Sequence, residues 1–90
     1  MSETETTNAP TITVYWRPGC GFCSTLWSGL ELRGIEFESV NIWADTDAAA
    51  FVRSVANGNE TVPTVSIGDT SLVNPTARQV AELVGATTSD

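Results

Sequence analysis

The chain has no histidine and no lysine, and its 90 residues carry four cationic side chains, all arginine, against eleven acids. Without imidazole, no Ser-His or Cys-His nucleophilic pair can form and no histidine can hold a metal. A net charge of −7 would repel nucleic acid and anionic membrane surfaces alike. No stretch approaches the ~20 consecutive apolar residues that cross a bilayer. The first ten residues lack the basic start and apolar run of a secretory signal. These absences lead to the expectation of a cytoplasmic protein that binds neither nucleic acid nor membrane, in a compartment where structural disulfides are uncommon. Cysteine is scarce as well, with only Cys20 and Cys23. Two cysteines three apart in such a setting point to redox or metal chemistry rather than to a structural crosslink.

What is present organises into one domain. Residues 1–10 are polar, acidic and threonine-rich, which reads as a disordered tail, leaving 11–90 as the folded unit. Thr11-Ile-Thr-Val-Tyr-Trp16 is a β-branched and aromatic run, hence a strand, and Arg17-Pro18-Gly19 turns it. From Gly21 to Arg33 the apolar residues Phe22, Leu26 and Leu30 recur every four, predicting a helix that Gly34 ends. Glu36 to Ile42 reads as a second strand. Asp45 or Thr46 can cap a second helix with Ala48, Phe51, Val52 and Val55 on one side, closed by Asn57-Gly58-Asn59. Val62 to Ile67 is a third strand, and Gly68-Asp69 turns it into Ser71-Leu-Val73. Asn74 then caps a last helix with Pro75 at its first position, and Ala77, Val80, Leu83 and Val84 form its buried face. The order β-α-β-α-β-β-α predicts a parallel pair joined by a crossover beside an antiparallel pair: one mixed four-stranded sheet with three helices.

The chemistry gathers at the start of the first helix. Free backbone N–H groups and the helix dipole favour an anion at Cys20, and Arg17 adds a cation three residues earlier. Cys23 lies one turn inside the helix on the same face, within reach of a disulfide but without the dipole advantage. Cys20 is therefore expected to attack and Cys23 to resolve. Two blander readings compete: a pair of buried apolar thiols, or half of a metal site. A four-ligand metal site within one chain needs two more Cys or His, and none exist, so no metal is expected unless two chains share it. Trp27 reads as half-buried packing, whereas Trp16, next to the active turn, is the better redox sensor. Arg53 and Arg78 read first as solvated surface residues.

Val14-Tyr-Trp-Arg-Pro-Gly-Cys20-Gly-Phe-Cys23, followed by Thr61-Val62-Pro63, resembles the glutaredoxins of the thioredoxin superfamily from about Thr11 to Leu83. Details resemble the mycoredoxins of high-GC actinobacteria: Asn41-Ile42, Ala49-Ala-Phe-Val52, Asn57-Gly-Asn-Glu-Thr-Val-Pro-Thr64 and Asn74-Pro75. The resemblance implies a thioredoxin-like α/β fold and a thiol–disulfide oxidoreductase without a tightly bound cofactor. Its co-substrate would be a low-molecular-weight thiol, mycothiol or glutathione, and its partners oxidised or S-thiolated proteins; a monomer is the default expectation. It implies a cis bond before Pro63, with the Val62 backbone free to pair with an extended substrate segment. Trp16, Arg17, Gly21, Phe22, Thr61, Asn74, Pro75 and Thr76 would complete the thiol-binding surface. Glutathione-using members carry Gly-Gly-x-Asp where this chain has Val73-Asn74-Pro75-Thr76. If Pro75 opens the helix it deletes one N–H donor, and no acid is present to pair with a γ-glutamyl ammonium, which favours mycothiol. Gly21 replaces a proline common between the cysteines and loosens the first turn. Two other activities are implied by the wider family: a dithiol electron donor to a reductase such as ribonucleotide reductase, and an iron–sulfur carrier shared between two chains through Cys20.

Overall fold

Strand β1 (Ile12–Trp16) lies inside the sheet and carries its neighbours on both sides. The structure, a computed structural model, describes residues 11–88, with side chains as far as Val84. The segment 1–10, read above as a disordered tail, lies outside them. After β1 come α1 (Gly21–Leu32), β2 (Glu38–Asn41), α2 (Thr46–Val55), β3 (Thr64–Ile67), β4 (Thr70–Val73) and α3 (Ala77–Thr88). The sheet order is β2-β1-β3-β4, with β1 and β2 parallel and the other two pairs antiparallel. This is the predicted mixed sheet with three helices.

Two apolar clusters hold it together. In the larger, Ile12 and Val14 of β1 and Val65 and Ile67 of β3 meet Leu26 and Leu30 of α1 and Val80 of α3. Ala77, Leu83 and Val84 pack against it, as the periodicity of the last helix predicts. The crossing of α1 and α3 is close: a Cβ on Gly29 would stand 2.6 Å from the Ala77 Cβ. The smaller cluster gathers Ile42, Ala48, Ala49 and Val52 with Cys23 and Val62. One of the two cysteines, and the residue before Pro63, are thus parts of a core.

Four local expectations need correction. The buried stripe of α1 is Cys23, Leu26 and Leu30, whereas Phe22 is 71% exposed. A spacing of three then four places Cys23 on the inward face, so the apparent period-four run began one residue too early. The second strand is shorter than Glu36–Ile42, because residues 35–37 leave the sheet and Phe37 packs edge-on against Trp27, 5.1 Å between ring centres. The third strand starts at Thr64 rather than Val62, since the Val62–Pro63 bond is cis and Pro63 has no N–H for a ladder. Finally, Asn74 does not cap α3. It takes a left-handed backbone (φ 53°), which asparagine tolerates, and Thr76 caps instead. Thr76 Oγ1 accepts from Gln79 N–H at 3.0 Å, and Gln79 Oε1 accepts from Thr76 N–H at 2.8 Å, a reciprocal capping box. Pro75 therefore precedes the cap, and its missing N–H is not one of the helix's own donors.

Candidate active site

The chain leaves β1 at Trp16, turns through Arg17-Pro18-Gly19 with Gly19 at φ 79°, and enters α1 at Gly21. A left-handed φ of that size suits glycine and few other residues. The turn leaves Cys20 extended (φ −96°, ψ 109°) as the capping residue of α1. Its sulfur takes the place of the usual capping oxygen and accepts the Cys23 N–H at 3.1 Å. The sulfur thus sits at the open start of α1, where backbone N–H groups point out of the helix. In its thiol form, S–H donates to the Val62 carbonyl at 3.8 Å, so the cis-proline loop faces the sulfur directly.

The two thiols differ in surroundings. Cys20 is half-buried, while Cys23 is 4% exposed within the smaller core. Burial pushes the Cys23 thiol up to about 12, the hydrogen bond with Cys20 adds to the rise, and Arg17 opposes it. Cys23 therefore stays protonated at neutral pH. Both cysteines are free.

Two spaces open beside the active turn, and Arg17 lines both. A cleft of about 470 Å³ is lined by Cys20 and Cys23 together with Trp16, Arg17, Ser24 and Trp27. The two indoles meet edge-on at 6.1 Å, and Trp27 Nε1 donates to Glu31 at 3.1 Å. Trp27 is thus half-buried packing that also shapes the cleft. The Trp16 indole N–H is buried without a partner, an arrangement that costs about 1–3 kcal/mol. A second groove, about 430 Å³, opens between Arg17 and the segment from Asn59 to Val62.

Of the residues singled out from sequence, Trp16, Arg17, Gly21, Thr61 and Val62 line one of these spaces, and Pro63 lies fully buried behind Val62. Phe22 projects from the helix start and lines neither. Asn74, Pro75 and Thr76 are joined to the loop by the Asn74 N–H, which donates to the Pro63 carbonyl at 2.7 Å, yet they line neither space. Pro75 is buried beside Leu72 and Leu83 in a separate groove. Sequence reasoning quoted Asn59 and Glu60 within a motif but did not place them in the site. Their position just ahead of Thr61-Val62-Pro63 was the available signal. No group of three or more Cys, His, Asp or Glu able to hold a metal occurs among the described residues.

Comparison with known proteins bears directly on this geometry. The sequence model of the glutaredoxin family matches residues 12–72. A Mycobacterium tuberculosis protein named as a glutaredoxin is 44% identical over 75 residues, covering 81% of this chain and 89% of its own length. Mycoredoxin 1 of Corynebacterium glutamicum is 36% identical over 76 residues, covering 83% and 94%. Among solved structures, the glutaredoxin-like NrdH-redoxin of Escherichia coli, described as having a thioredoxin-like activity profile, superposes with a TM-score of 0.70 at 32% identity, covering 81% of this chain and 93% of that one. The matched span runs from the first residue of β1 into β4 and so contains both cysteines, the turn before them and the cis-proline loop; the chain belongs to the glutaredoxin family and is a thiol–disulfide oxidoreductase.

Proposed function

We propose that the protein reduces mixed disulfides between protein cysteines and mycothiol, with Cys20 as the attacking sulfur. The observation that carries this reading is the asymmetry of the two thiols. Cys20 is half-exposed at the start of α1 and accepts the Cys23 N–H, whereas Cys23 is buried and held protonated. The Cys20 thiolate attacks the mycothiol-side sulfur of a protein–mycothiol disulfide. The S–S bond breaks, the protein leaves as a thiolate that takes a proton from water, and Cys20 is left joined to mycothiol. A second mycothiol thiolate then attacks the mycothiol sulfur of this mixed disulfide, freeing the Cys20 thiolate and releasing mycothiol disulfide. Cys23 can instead displace mycothiol and close a disulfide with Cys20, but only after losing its proton, so this is the side path.

The backbone of Val62 is assigned to an extended stretch of substrate beside the sulfur, in the manner of an added strand. Mycothiol is favoured by the likeness to mycoredoxin 1 and by the absence of an acid at Asn74-Pro75-Thr76 to meet a γ-glutamyl ammonium. Pro75 removes no donor from the start of α3, because it lies outside that helix. The expected protein acts as a cytoplasmic monomer. The reading is tested by following release of mycothiol from an S-mycothiolated peptide. Cys23→Ser should sustain turnover and Cys20→Ser should abolish it; turnover by Cys20→Ser would overturn the assignment.

A second reading is favoured by the likeness to NrdH-redoxin: a dithiol donor that takes electrons from thioredoxin reductase. NADPH oxidation on adding the protein to thioredoxin reductase would select it, and Cys23→Ser would then be inactive.

A further inference from the structure

The groove lined by Val62 has one cation, Arg17, in its wall, while a second, Arg53, is paired with another of its lining residues, Glu60. Arg53, in the last turn of α2, donates through Nη1 to Glu60 Oε2 at 2.6 Å, with the two side chains 44% and 39% exposed. Glu60 lines the groove together with Arg17, Asn59, Thr61 and Val62. The pairing is built into the backbone. Asn57 (φ 58°) and Gly58 (φ 88°) reverse the chain after α2, and Gly58 N–H closes on the Arg53 carbonyl at 2.8 Å. That reversal returns Glu60 to the helix end that carries Arg53. Arg17, by contrast, enters no ion pair among the described residues.

We propose that Glu60 sets the thiol selectivity of this site by occupying Arg53, so that the groove disfavours small thiols bearing carboxylates. This deepens the proposed function and rests on Cys20 being the attacking sulfur. A substrate carboxylate that seeks Arg53 must displace one held on the same chain, whose effective concentration is far above that of a free ligand. It must also approach a second negative charge on a surface that is already acidic. A thiol whose polar groups are hydroxyls and neutral amides meets neither obstacle. It can hydrogen-bond to Asn59, Thr61 and the backbone of the loop, and needs no free cation. Glutathione carries a carboxylate at each end, and Arg17 can answer only one of them.

The test uses the full chain with Cys23→Ser, so that each encounter ends in one adduct. The Cys20 thiolate attacks a disulfide R–S–S–R, forms Cys20–S–S–R and releases R–S⁻, with no other reductant needed. Rate constants are measured by intact mass with glutathione disulfide and with the uncharged bis(2-hydroxyethyl) disulfide, and their ratio is the readout. Adding Glu60→Gln should raise the glutathione-to-hydroxyethyl ratio about fivefold, the scale of a part-exposed ion pair, and the gain should shrink in high salt. Adding Arg53→Gln to Glu60→Gln should return the ratio to its starting value. An unchanged ratio in Glu60→Gln overturns the proposal. A gain that persists without Arg53 also overturns it, because simple repulsion by Glu60 would then suffice. Mycothiol takes no part in these ratios, so a failure of the mycothiol reading and a failure of this one are separately visible.

Discussion

Alkaline destabilisation through Cys23 is the consequence of the fold that can be given a size. Burial in the smaller core raises its pKa from 9.0 to about 12. Between these two values the unfolded chain has lost the proton while the folded chain keeps it. The folded state then binds more protons, so stability falls as pH rises. Stability from this group is whole below pH 9 and is lost through the window up to pH 12. Each pH unit inside the window removes about 1.4 kcal/mol, so moving from pH 8 to pH 10.5 removes about 2 kcal/mol. For a chain of this length that is on the order of 10 °C in Tm. The assay is urea unfolding of reduced protein at both pH values, beside Cys23→Ala. The substitution leaves a void whose cost is the same at each pH, so the difference between the two proteins isolates the titration. Wild type minus variant should fall by about 2 kcal/mol on going to pH 10.5. A difference that does not move with pH would show that Cys23 is not held protonated by the fold. The assignment of Cys23 to a side path would lose its support with it.

Other substitutions probe the scaffold and the site in turn. Gly29→Ala places a methyl 2.6 Å from the Ala77 Cβ, and forcing α1 and α3 apart should cost about 1–3 kcal/mol in the urea midpoint, where a helical Gly→Ala change would otherwise stabilise. Thr76→Ala removes the capping oxygen of α3 and should cost about 1 kcal/mol, whereas Asn74→Ala, at a position that caps nothing, should lose only what its left-handed backbone demands. Trp16→Phe deletes an indole N–H that has no partner; its thermal midpoint should fall less than that of Trp27→Phe, which breaks the bond to Glu31 and loosens the contact with Phe37.

Much of this architecture was legible because local signals agreed with one another. The β-branched run of β1, Asp45 accepting the Ala48 N–H at 3.0 Å, and Gly34 at φ 70° after α1 each do what their chemistry favours. Cys20 at a helix start could be read because a turn and an apolar helical pattern bracket it. Where signals competed, the reading slipped. Asn74, Pro75 and Thr76 are all acceptable at a helix start, and the reciprocal bond with Gln79 decides for Thr76. Phe22 looked buried because phenylalanine usually is, but the inward position one residue on belongs to Cys23. The partnership of Arg53 and Glu60 was out of view for a different reason. It depends on a chain reversal whose direction two positive φ angles set, and no periodic pattern reports it.

The central claim is that Cys20 exchanges with mycothiol in preference to glutathione. Cys23→Ser protein, reduced and exposed briefly to mycothiol disulfide and to glutathione disulfide in separate tubes, tests it by intact mass. The account predicts rapid gain of one mycothiol on Cys20, with glutathione adding more slowly. Equal or faster addition of glutathione would contradict it.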